Sequence, residues 1–174
     1  MPPWHVEIVA RAASRMAHPR AKGGAEARRE PAIVRRQVMT SLDTDLWDRF
    51  HAATLPVTEW LHEAHLRVAW MYLRGHSLDD AHILMRVGII RLNASHGLVE
   101  TPARGYHETM TRVWLRLVAA AMRSAPEHAA SRPFLEAHAA SLAKDAPLRH
   151  YTRERLFSAT ARARFVEPDV LELP

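Results

Sequence analysis

A chain of 174 residues, 48% hydrophobic and 25% charged, has the size and composition of one globular domain. It has no cysteine, which excludes a disulfide framework, a thiolate-bound zinc or iron–sulfur centre and a cysteine nucleophile. The formal net charge is +5, and the whole excess lies in residues 1–40, where eight basic side chains meet three acidic ones; the remainder carries 16 of each sign.

Residues 1–40 therefore read as a disordered basic arm and 41–174 as a helical domain. Within the arm, residues 17–31 (AHPRAKGGAEARREP) hold two prolines, two glycines and few large apolar side chains, too little burial to offset the entropy of ordering. Met39 offers an alternative start, MTSLDTDLW. The arm lacks the apolar run of about 7–15 residues that a secretory signal needs. No later segment has the roughly 18 apolar residues that span a bilayer. The expectation is a cytoplasmic protein off the membrane. The charge-balanced body gives no reason to expect nucleic-acid binding, which needs clustered cations.

Along the body, apolar residues recur near every 3.6 positions, and Ala, Leu, Arg and Met outnumber β-branched residues, which favours helix. A first helix is expected at about 43–54, capped by Ser41 or Asp43, with Leu42, Leu46, Trp47 and Phe50 on its apolar side. Pro56 breaks it. Thr58 then caps a second helix that Gly75 stops near Arg74. Ser77 caps a third, with Asp79 and Asp80 in the first turn, where negative charge suits the helix dipole, and Gly97 as a left-handed stop. A loop over 97–105 leads to a fourth helix from about Tyr106 to Arg123. Ser131 caps a fifth, running to about Ala143. A turn at 153–157 and a short helix capped by Ser158 finish the fold. No internal repeat is visible. The fold class is all-α, a compact bundle of five or six helices.

The chemistry concentrates in the second and fourth helices. At about 100° per residue, Leu61, His65, Val68 and Tyr72 share one line with His62, Ala69 and Leu73 beside it, while Glu59, Glu63, Arg67 and Arg74 fall opposite. On the fourth helix His107 lies within the apolar arc of Tyr106, Met110, Val113 and Trp114, one turn below Thr111, with Glu108 at its edge. Imidazoles at i and i+3 face the same way and suit a transition metal. The candidate ligands of a divalent metal, zinc or iron, are His62, His65, His107 and Glu108, the last serving also as candidate catalytic base to a bound water. Tyr106, Thr111 and Arg153 are the candidate cofactor-binding residues around that centre, and a small molecule is the candidate partner.

The di-iron Glu-x-x-His pattern is absent, because Glu59 lies toward the polar side. His62-Glu63-Ala64-His65 lacks the i, i+4 histidines of a zincin. His96 is a candidate outer ligand. His51, His76, His128 and His138 read as surface or helix-end residues, and the tryptophans as core and rim aromatics. Tyr151, Arg153, Glu154 and Arg155 read either as a cover that binds an anion or as a solvated charged turn. No glycine-rich phosphate loop and no G-x-S-x-G elbow occurs. The competing reading is a non-enzymatic binding or interaction module whose histidines form a structural network. Imidazole nitrogens converging on one point would favour metal; rings bonded to backbone carbonyls would favour the network.

The runs Trp60-Leu61-His62-Glu63-Ala64-His65-Leu66, Gly105-Tyr106-His107-Glu108-Thr109 and Tyr151-Thr152-Arg153-Glu154-Arg155-Leu156-Phe157 resemble segments of a family of small bacterial all-helical proteins whose activity is not established. The resemblance spans about 45–174. It implies an all-helical unit and the grouping of His62, His65, His107 and Glu108, but no reaction and no cofactor.

Overall fold

The computed structural model describes residues 39–124 and 128–174. Their regular structure is helical: α1 (Ser41–His51), α2 (His62–Leu73), α3 (Leu78–Ser95), α4 (Glu108–Ser124), α5 (Ser131–Ala137), a 3-10 turn (Ala146–Arg149), α6 (Arg153–Leu156) and α7 (Ala159–Ala163). The all-α expectation holds, with seven helices among the described residues, the last three short. The expected disordered basic arm lies outside the described residues except at its end. There Met39 packs against the core and Thr40 caps α1.

The Thr40 hydroxyl accepts the Asp43 amide at 3.3 Å, taking the capping role expected of Ser41 or Asp43. Asp43 instead turns inward. The Arg67 guanidinium donates to it at 2.9 Å and to the Ser131 hydroxyl at 2.8 Å, and Ser131 bonds Asp43 through both its amide and its hydroxyl. All three side chains are buried, and together they tie α1, α2 and α5. Two expectations change here. Arg67 is not on a solvated face, because α2 is covered on both sides. Ser131 is the first residue of α5, not its cap, and spends its hydroxyl on the cluster.

Three helix limits also differ. The Pro56 carbonyl accepts the amides of Glu59 and Trp60, a turn that consumes Thr58, so α2 opens at His62 and Leu61 stays exposed. A loop reaches as far as His107, so α4 opens at Glu108, not Tyr106. α5 stops at Ala137, well short of Ala143, and gives way to turns. By contrast α3 follows its signals. Ser77 accepts the Asp80 amide at 3.1 Å. At the other end the Gly97 and Leu98 amides bond the Ala94 and Asn93 carbonyls, with Gly97 at φ +67°, a Schellman stop.

α2, α3 and α4 pack on one another, α1 on α2 and α3, α5 on α2 and α7 on α4. Val68, Leu92, Val113 and Val118, fully buried, mark the centre. Removing such surface from water supplies most of the driving force, at about 25 cal/mol per Å² of apolar area. Among the described residues no helix is long and apolar enough to cross a membrane.

Candidate functional site

Where α2, α3 and α4 meet, a cavity of about 270 Å³ remains. His62, His65 and His107 all line it, together with Met85, Met110 and Trp114. The grouping comes from the helices themselves. His62 and His65 are one turn apart at the start of α2, and His107 immediately precedes α4. Tyr106 and Thr111, both expected near the site, also face the cavity.

Each ring has one nitrogen committed to the backbone. His62 Nε2 donates to the Leu142 carbonyl at 3.0 Å, and the ring lies 4.7 Å from Trp114. His65 Nδ1 donates to the Leu61 carbonyl at 2.9 Å while the ring packs 3.8 Å from Trp60. Burial drives the His65 pKa down to about 4 against the opposing pull of the Leu61 bond, with neighbouring His62 adding to the depression. The ring is neutral at pH 7, with its proton on Nδ1 and Nε2 left as an acceptor. His107 is arranged the other way round. Its Nδ1 accepts the Met110 amide at 3.2 Å, so the proton sits on Nε2. That atom is sealed from solvent with no hydrogen-bond partner among the described residues. The Leu156 backbone favours the ring proton without reaching hydrogen-bond geometry. Burial, followed by the Arg162 charge, outweighs it and lowers the pKa.

Glu108 does something different from what the sequence suggests. Its carboxylate is buried and accepts four donors: Tyr106 Oη at 3.0 Å and an Arg86 nitrogen at 3.1 Å on Oε2, Arg112 Nε at 2.8 Å and His82 Nε2 at 3.0 Å on Oε1. A carboxylate has about four lone-pair positions, so none is left for a metal. Burial works against the charged form, but the hydrogen bonds from Arg112 and Tyr106 and the attraction of His82 prevail and hold the pKa below the usual carboxylate range. A base for proton abstraction near neutrality needs the opposite shift. Glu108 is a clamp between α3 and α4. His82 itself is held toward neutrality by burial, which outweighs the attraction of Glu108.

Among the described residues no group of three or more His, Cys, Asp or Glu side chains could hold a metal ion. The proposed ligand set of His62, His65, His107 and Glu108 thus separates into three cavity-lining rings and one saturated carboxylate. Arg153 does not line the cavity; it is exposed, with its guanidinium 5.2 Å from the Phe157 ring. The arginine that reaches the cavity wall is Arg162, which donates to the carbonyls of Gly105 and Tyr106 at 3.0 and 3.3 Å. His96 bonds the Leu55 carbonyl at 2.8 Å and is not a ligand.

Sequence reasoning also missed Glu100. Its carboxylate accepts the Tyr106 amide at 2.6 Å and the Asn93 side chain at 3.0 Å, pinning the loop that forms one wall. Gly105 permits this with φ +104°, and a Cβ there would collide with the carboxylate. His82 interrupts the buried side of α3 as a polar residue, a signal that a sequence carries, whereas the partners Arg86, Glu100 and Arg162 carry no local signature. Comparison with protein-family models, curated proteins and solved structures finds no match.

Proposed function

We propose that this domain binds one small, mostly apolar molecule in the cavity between α2, α3 and α4, with the imidazoles recognising a hydrogen-bonding group on it. The observation that carries the reading is a cavity walled by methionine and tryptophan and lined by three histidines, of which His65, its Nδ1 bonded to the backbone, has Nε2 left as an acceptor. Apolar walls with a few placed polar atoms are what small-molecule sites share. A volume of about 270 Å³ exceeds the roughly 150 Å³ that accommodates benzene, so one or two fused rings fit. Rings bonded to backbone carbonyls support this binding module over a metal centre.

Indole and p-cresol carry a ring and one polar hydrogen and serve as probes. Isothermal titration calorimetry with either probe should give saturable binding. Met110→Trp, which fills the cavity, should abolish it while preserving helical content. An equal response from parent and Met110→Trp would overturn the reading. So would a melting temperature raised by zinc in the parent but not in His62→Ala, which would restore the metal.

A further inference from the structure

The side of α3 that faces away from the core is apolar as well. Ala81, Met85 and Leu92 are buried inward. Outward, Ile83 is 58% exposed and Val87 51%, with Leu84 also exposed and Ile90 half-buried. At about 100° per residue, Ile83, Val87, Ile90 and Ala94 form one line opposite the buried face. A helix apolar on both sides belongs between two bodies. Among the described residues only one body is present.

The charges beside the stripe indicate the other. Asp80 and Arg91 flank it on one side, Asp79 and Arg86 on the other, with the acids in the first turn, Arg86 at mid-helix and Arg91 beyond it. Among the described residues Asp79 and Arg91 enter no ion pair, and Asp80 bonds only its own cap residue, Ser77. We infer that this face of α3 is an interface with a second copy of the same chain, packed antiparallel about a two-fold axis. Such an axis returns each flank to the same flank of the copy. Asp80 then lies beside Arg91 of the second copy, twice, while on the stripe between them Ile83 comes within one residue's rise of Val87 of the second copy. Parallel packing would set acids against acids and bases against bases, at a cost. The surface is thus complementary to itself in one orientation.

Sedimentation velocity on the full chain, from low micromolar to near-millimolar, should show a monomer–dimer equilibrium that weakens with salt. Val87→Glu should leave a monomer whose melting curve matches the parent, because the side chain is exposed. Asp80→Lys and Arg91→Glu each turn both symmetry-related contacts into like-charge pairs and should weaken the dimer by at least about tenfold, and the two together should restore it. Arg91→Glu leaves the Ser77 cap intact, so it reports on the interface even if Asp80→Lys unsettles the helix start. A monomer at every concentration overturns the inference, as does a dimer indifferent to Val87→Glu. A double swap no better than its weaker parent excludes the antiparallel register.

Discussion

Arg67 stays inside the protein because two other helices, α1 and α5, supply three acceptors: the Leu42 carbonyl at 3.1 Å, the Asp43 carboxylate and the Ser131 hydroxyl. Removing a charge from water is costly, and only complete pairing offsets it. Burial opposes ionisation of Asp43, yet the hydrogen bonds of Ser131, Arg67 and Thr40 hold its pKa below the usual range. Arg67→Met keeps the volume of the stem and leaves that carboxylate buried without its cation. The expected loss is about 3–5 kcal/mol in urea unfolding; a loss near zero would mean that water replaces the guanidinium. The cluster was hidden from sequence reading for a physical reason. An arginine opposite an apolar line reads as solvated, and its partners lie 24 and 64 residues away. The histidines were legible because polar residues interrupted apolar arcs. Their hydrogen-bond partners were not, since a backbone carbonyl has no residue identity to recognise.

At the scale of elements, helices were legible where capping and periodicity agreed. α3 shows both signals: Ser77 at one end, Gly97 at the other and an inward line between. The start of α2 and the long approach to α4 were not legible, because turns centred on Pro56 and on the Glu100 carboxylate displaced the boundaries. Nor did sequence reveal how closely α1 and α3 approach. Gly88, in the middle of α3, sits against the ring of Phe50, and a Cβ at position 88 would overlap that ring. Phe50 is almost wholly buried, with Trp60 stacked 4.9 Å away, so it has no room to retreat. Gly88→Ala gains up to about 1 kcal/mol of helix propensity. It loses about 1–3 kcal/mol to overpacking, so net destabilisation is expected. Phe50→Leu in the same chain should recover part of that loss, giving a non-additive double-mutant cycle in urea unfolding; additive losses would mean that the two residues do not compete for space.

Over the whole molecule, the cavity histidines make stability depend on pH in a defined direction. His65, with its pKa near 4, and His82 and His107, also depressed, all bind protons less readily folded than unfolded, where an ordinary value is about 6.5. The unfolded chain therefore takes up more protons as pH falls below about 6.5, and stability falls with it. The His65 contribution is complete above the ordinary value, declines between about 6.5 and 4, and changes no further below that. Glu108 and Asp43 act in the same direction at lower pH: their stabilisation is present above their unfolded pKa values and is lost as pH drops through the depressed folded ones. Acid unfolding should thus proceed in two stages, histidines first and carboxylates second. For His65 the shift corresponds to about 3 kcal/mol at full burial, reduced to about 1–2 kcal/mol because solvent reaches part of the residue. His65→Gln sacrifices the contact with Trp60 and lowers stability at pH 7.5, yet its urea midpoint should fall less steeply than the parent's between pH 7 and pH 5. Parallel profiles for the two proteins would show that the His65 ring is protonated as easily in the fold as in water, and that its burial contributes nothing to the acid sensitivity of the fold.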